Sequence, residues 1–183
     1  MWSLAGGPYL AAAVLLVLAG VPKLADPMPL VRALRSVQLP ASRSVVRAVA
    51  ALEVVVGTAA LLAPGRLTAA AVALSYLTFS AFVAFVLRRG GVLGSCGCFG
   101  KPDTPPTVAH LAVTLLLTVS AAALAVSPPR ESVWSSLTGE LVVLVGFAAL
   151  LAWLAYLVMA VLPATTPAAV RSAVSGGTSA RRS

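Results

Sequence analysis

Acid, thiol and imidazole are all scarce in this chain, which has five Asp and Glu, two cysteines and one histidine among 183 residues. Two cysteines exclude a disulfide-framed secreted scaffold. Two cysteines and one histidine also fall short of the roughly four nitrogen or sulfur ligands of a zinc site within one chain, leaving only a site shared between two copies. A charged fraction of 10% is too low for an ordinary soluble domain. What the chain has instead is apolar surface. Hydrophobic residues make up 60% of it and the mean hydropathy is +0.99, the composition of a polytopic membrane protein.

The net charge of +8 comes from thirteen Lys and Arg. They form no basic face interleaved with aromatics, so nucleic acid is not the expected partner. They sit in the gaps between apolar runs, where basic residues set membrane topology. Runs long enough to cross a bilayer, about 20 residues each, cover 3–22, 45–63, 67–87, 107–126 and 138–162. The expected fold class is therefore all-α, a polytopic integral membrane helix bundle of five transmembrane helices in contact with membrane lipid. No basic n-region precedes the first run, so it reads as a retained helix rather than a cleavable signal peptide. Trp2, Tyr9, Trp134, Trp153 and Tyr156 stand near span ends as candidate interfacial anchors, Trp153 equally as a lipid-facing residue.

Lys23, Arg32, Arg35, Arg43 and Arg47 between the first two runs are opposed only by Asp26. That segment is expected in the cytoplasm, with the N-terminus outside. Alternation then places Arg66 and the Arg130-Glu131 loop outside. The loop with Arg88, Arg89 and Lys101 falls inside, as does the tail with Arg171, Arg181 and Arg182. Eleven of the thirteen basic residues fall on the cytoplasmic side of the cell membrane in this arrangement. Residues 26–40 set Leu30, Val31, Leu34 and Val37 against Arg32 and Arg35 between prolines. This is the pattern of a short amphipathic helix in the interface.

Both cysteines fall in Ser95-Cys96-Gly97-Cys98-Phe99-Gly100. A disulfide across one intervening glycine closes a ring tighter than relaxed geometry allows, so it is comparatively easy to reduce. Arg88, Arg89 and Lys101 nearby favour the reactive thiolate. A redox-active dithiol is the preferred reading, against an inert pair or half of a metal site. Glu53 lies about eight residues inside the second run, at a depth where a carboxylate must be neutral or paired. Two readings stay open for it: a packing acid hydrogen-bonded to a neighbouring helix, or a group that handles protons or a quinone. The quinone is the one cofactor candidate. Lys23 is a candidate partner for Glu53 if its side chain turns inward rather than snorkelling to water.

His110, about one turn inside the fourth run, reads either as a base for a thiol or as a half-solvated interfacial histidine. Asp26-Pro27 is expected to start the amphipathic segment through a turn, with Asp26 paired to Lys23. The hydroxyls of Ser75, Tyr76, Thr78, Ser80, Thr114, Thr118 and Ser120 are expected at helix contacts.

The order Gly20-Val-Pro-Lys23-Leu24-Ala-Asp26-Pro27, Leu39-Pro40, Glu53, Gly57, Arg89-Gly90 and Cys96-Gly-Cys98-Phe99-Gly100 resembles the methylamine-utilisation MauE family, which belongs with the DoxX-like membrane proteins. The resemblance covers residues 5–126 and departs from the family pattern at Ala109-His110, where an Arg-Asn pair is frequent. The expected division is a four-helix MauE/DoxX-like domain at 1–126, then, outside the family core, an external loop and extra transmembrane helix at 127–162 and a tail at 163–183 whose Ala, Ser, Thr and Gly content and basic residues predict cytoplasmic disorder. The resemblance implies a maturation role for a disulfide-rich exported client alongside a thioredoxin-like partner, with Cys96, Cys98, Glu53 and His110 as the candidate catalytic residues. Two rival functions stay open: a transporter with Glu53 as coupling group, and a non-catalytic assembly subunit. A client outside and cysteines inside require a re-entrant loop, a dithiol that alternates its exposure, or a pair that passes on electrons drawn from cytoplasmic reductant.

Overall fold

Twenty residues of α-helix extend about 30 Å, the thickness of a bilayer's hydrocarbon core, and five helices of this chain have that length and an apolar composition. The computed structural model describes residues 5–36, 38–88, 107–128 and 139–161. Its helices are α1 (Gly6–Ala25), α2 (Met28–Ser36), α3 (Arg43–Leu62), α4 (Arg66–Arg88), α5 (Val108–Val126) and α6 (Gly139–Tyr156), the last continued by a π-helical turn over Leu157–Val161. No strand occurs among the described residues. All but α2 are long and apolar enough to cross a membrane. The cysteine segment 89–106, the loop over 129–138 and everything from 162 onward lie outside the described residues, as do Trp2 and Trp134.

Helix α1 is the hub. It packs on α3, α4, α5 and α6, and 56% of its most apolar stretch is buried, against 17% for the fifth span. Close approach to α3 depends on two glycines. A Cβ on Gly20 would lie 2.9 Å from the Ala50 carbonyl oxygen, and one on Gly57 would lie 2.7 Å from that of Ala13. Small residues at such crossings let helix backbones meet, since lipid supplies no hydrophobic drive between spans. These two contacts also fix the register: α1 and α3 run antiparallel, with residue 20 beside 50–54 and residue 57 beside 13–17.

Helices α4 and α5 form the second antiparallel pair. Ser80 Oγ donates to Thr114 Oγ1 at 2.9 Å, and Arg66 Nε donates to the Ala125 carbonyl at 3.0 Å. The latter places a cation on the last carbonyls of α5, where the helix dipole favours it. Tyr76 Oη donates to the Ala12 carbonyl at 2.9 Å, tying α4 to α1. Helix α6 lies along α1 with Phe147 against Gly7, and its Trp153 ring, 59% exposed, sits 6.1 Å from that of Tyr156. The ends of α1 and α4 and the starts of α3 and α5 thus share one end of the bundle.

The core is apolar, and so is much of the outer surface: Leu67 is 86% and Leu62 71% exposed, while the polar side chains of Lys23, Glu53, Ser80, His110, Thr114 and Ser120 are buried within the bundle. Exposed apolar side chains on the spans suit a chain whose solvent is lipid.

Helix α2 is the expected amphipathic element, with Val31 and Ala33 buried and Arg32 and Arg35 exposed. Its start corrects one expectation, because Asp26 does not pair with Lys23. Asp26 follows α1 in extended backbone, and its Oδ1 accepts from the Met28 backbone N–H at 3.0 Å, an Asx turn that opens α2. Past its other end Gln38 takes φ 63°, with Gln38 N–H donating to Arg35 O and Leu39 N–H to Leu34 O. This is a Schellman closure of the helix.

Candidate functional site

Helix α1 runs on through Ala25, past the expected end at residue 22, and so Lys23 is helical. A helical Cα–Cβ bond tilts toward the helix N-terminus, which turns the Lys23 stem back into the bundle instead of out to water. On antiparallel α3 the same rule tilts Glu53 toward the end from which Lys23 comes. The two meet: Lys23 Nζ donates to Glu53 Oε1 at 3.0 Å and to Oε2 at 2.8 Å. Their side chains are only 4% and 5% exposed. The Phe79 ring lies 5.1 Å from Nζ, within the range of a cation–π contact, and Tyr76 meets Phe79 edge-on at 5.8 Å. The snorkelling alternative for Lys23 is therefore corrected, and Glu53 has its partner in a lysine rather than only in packing contacts.

His110 is 1% exposed, which corrects the half-solvated interfacial alternative. It is the third residue of α5 and belongs to that helix's capping box. Thr107 Oγ1 accepts from the His110 backbone N–H at 3.4 Å, while the Thr107 backbone N–H donates to His110 Nδ1 at 3.3 Å. Thr107 Oγ1 also lies 2.9 Å from Nδ1. The ring is held at Nδ1 and presents Nε2 inward.

Between α1, α4, α5 and the π-turn lies a cavity of about 40 Å³, whose lining includes Lys23, Phe79, Phe82, His110, Thr114 and Met159. His110 and Lys23 both border it. Sequence reasoning offers Lys23 as a partner for Glu53, as one of two alternatives, and names His110 separately. It misses the cavity and the Thr107 cap, although Thr107 three residues before His110 is a legible N-cap signal. Of the hydroxyls, Ser80 and Thr114 bond across helices. Ser75, Thr78, Thr118 and Ser120 turn back onto carbonyls of their own helices. Among the described residues no group of three or more His, Cys, Asp or Glu is placed to hold a metal. Cys96 and Cys98 lie outside the described residues, but the helix ends that their segment joins, Arg88 and Thr107, are at the ion-pair end of the bundle.

A family model described as Methylamine utilisation protein MauE matches residues 1–128. The match takes in α1 to α5 and the cysteine segment and leaves out α6. No curated protein and no solved structure matches the chain.

Proposed function

The chain belongs to the methylamine utilisation protein MauE family, and from that premise we propose that it is an integral membrane thiol–disulfide maturation factor working through Cys96 and Cys98. A membrane role related to methylamine utilisation follows from the family alone. The thiol chemistry rests on one observation: the family-matched segment holds both cysteines of the chain, one glycine apart, in Cys96-Gly97-Cys98-Phe99-Gly100. In the exchange step a thiolate of the partner attacks the Cys96–Cys98 disulfide and forms a mixed disulfide. The partner's second thiolate then attacks the partner's bridged sulfur, closing the partner's disulfide and releasing Cys96 and Cys98 as a dithiol. Two electrons pass to the Cys96–Cys98 pair, and the partner's two thiol protons go with them by way of solvent.

A thioredoxin-like protein is the partner the family resemblance implies, and the charge pattern favours the cytoplasmic side of the cell membrane for the pair and the C-terminus. Rapid acid trapping of cells, followed by alkylation with a mass-tagged maleimide, tests the reading. Both the dithiol and the disulfide forms are expected. A pair that stays wholly reduced under oxidant, or alkylates only after chelation, overturns it.

The buried Lys23–Glu53 pair favours a second reading, a proton-coupled transporter with Glu53 as the coupling group. The two readings separate by substitution. Loss of function in Cys98→Ser supports exchange chemistry. Normal function in Cys98→Ser together with loss in Glu53→Gln, in protein that still accumulates in the membrane, supports transport.

A further inference from the structure

The surface at the ion-pair end carries positive charge that no carboxylate answers. Arg32 and Arg35 of α2, Arg43 and Arg47 of α3 and Arg88 of α4 are all exposed there, and among the described residues the one salt bridge is the buried Lys23–Glu53 pair. Asp26, the exposed acid beside them, spends Oδ1 on the Met28 N–H. At the far end Arg66 is already bonded to the Ala125 carbonyl.

The fold draws four of these arginines together. The apolar face of α2 is taken up by the bundle, where Ala33 packs against Val86 with Phe82 and Phe85 of α4, and Arg32 and Arg35 are left on its outer face. Arg32 Nε donates to the Met28 carbonyl at 3.4 Å and Arg43 Nε to Met28 Sδ at 3.1 Å, which brings guanidiniums from two helices to one residue. A thioether is a weak acceptor, and neither contact uses the Nη atoms. Arg35 Nε and Nη2 hold the Ala41 carbonyl at 3.1 and 3.0 Å, two residues ahead of Arg43. Arg47 stands one turn beyond Arg43 on α3 and makes no hydrogen bond among the described residues. Like charges three or four residues apart on a helix repel, and Arg32–Arg35 and Arg43–Arg47 are two such pairs on adjoining helices.

This arrangement specifies its counter-ion. The ion must accept from several forked donors at once, which suits phosphate oxygens. It must also lie at the edge of the hydrocarbon, because α3 has the length and composition of a membrane span from Arg43 onward. Arg47 is about 6 Å farther along that helix than Arg43, between Val45 and Val49, which are 59% and 44% exposed. A soluble acidic protein meets only the outer rim of such a surface, whereas lipid headgroup phosphates lie at the depth of all four side chains.

We propose that α2 and the start of α3 form a docking surface for anionic phospholipid, with Arg32, Arg35, Arg43 and Arg47 taking the headgroup phosphate and the lipid's negative charge. Neither cysteine takes part, so this surface stands or falls apart from the thiol chemistry.

Native mass spectrometry of the full chain released from detergent micelles, titrated with phosphatidylglycerol or phosphatidylcholine, tests it. Each arginine facing an anionic lipid is worth about fivefold in binding, so Arg32→Gln combined with Arg43→Gln should weaken phosphatidylglycerol binding by about 25-fold. The lipid-free unfolding midpoint should not move, because both side chains are exposed. Arg66→Gln, at the far end, should bind the lipid as the wild type does. Equal affinity for the two lipids overturns the proposal, as does unchanged binding in the double variant. Inorganic phosphate that displaces phosphatidylglycerol at equal concentration makes this a free-anion site, and polyglutamate held by the same arginines against excess phosphatidylglycerol makes it a protein-docking face. Either result overturns the lipid as occupant.

Discussion

Replacing Lys23 with Met keeps the length of the apolar stem and removes only the cation, leaving Glu53 in a site where its side chain is 5% exposed. The Lys23 ammonium makes the salt bridge to Glu53, at 2.8 Å, so the substitution strands a buried carboxylate. Removing one partner of a buried pair costs about 3–5 kcal/mol, and every ~1.4 kcal/mol is tenfold in an equilibrium. The folded-to-unfolded ratio should therefore fall by at least about a hundredfold. Replacing both partners with apolar residues of similar volume, Lys23→Met with Glu53→Leu, removes the stranded charge and should recover most or all of that loss, because such double replacements are often neutral or stabilising. The measurement is reversible unfolding of the reconstituted protein, run as a double-mutant cycle. A Lys23→Met chain as stable as the wild type refutes the reasoning, and so does a double variant whose loss equals the sum of the singles.

The α1–α3 crossing gives a paired test of glycine. Gly57→Ala puts a methyl group 2.7 Å from the Ala13 carbonyl oxygen and should destabilise by about 1–3 kcal/mol through overpacking. Gly146→Ala meets nothing within 4 Å and should leave stability unchanged or raised by up to about 1 kcal/mol, the helix-propensity difference. Equal unfolding curves for the two variants would remove the close-packing account. For sidedness, reporter fusions after Arg89 and at the C-terminus should both report the cytoplasm, and activity of an export-dependent reporter at either point overturns the charge argument.

The spans were legible because hydropathy over about 20 residues does not depend on knowing which face of a helix packs where. The amphipathic segment was legible for the complementary reason: apolar residues recur at helical spacing opposite the arginines, and Val31 is buried and Leu30 and Leu34 half-buried while Arg32 and Arg35 are exposed, although the buried Ala33 was not among the residues expected there. Lys23 was not so determined. Charge counting treats it as one more cytoplasmic lysine, and only the continuation of α1 through Ala25 and the register set by Gly20 and Gly57 aim it at Glu53. Asp26 shows the converse error. It is closer to Lys23 in sequence than Glu53 is, yet its carboxylate is spent on the first free N–H of α2. The cavity was beyond sequence reading altogether, since its walls come from four separate elements, one of them a π-turn whose Met159 has no local signature.

In a bundle whose solvent is lipid, an inward polar residue carries more information than an inward apolar one, because hydrocarbon offers it no partner. The buried polar groups are not spread evenly. Tyr9, at the opposite end, reaches the Ala60 carbonyl at 3.4 Å and Thr68 Oγ1 at 3.3 Å, and those contacts bind the turn between α3 and α4 to α1. Each donor and acceptor there serves packing. At the other end Lys23 and His110 border a cavity, Lys23 is paired with Glu53, and His110 Nε2 is buried without a partner. Packing alone would close that space with apolar side chains, as it does around Ala11, Ala12 and Leu16. The ion pair and the cavity therefore lie at the end where α4 stops and α5 begins, the two helix ends that the Cys96-Gly97-Cys98 segment connects.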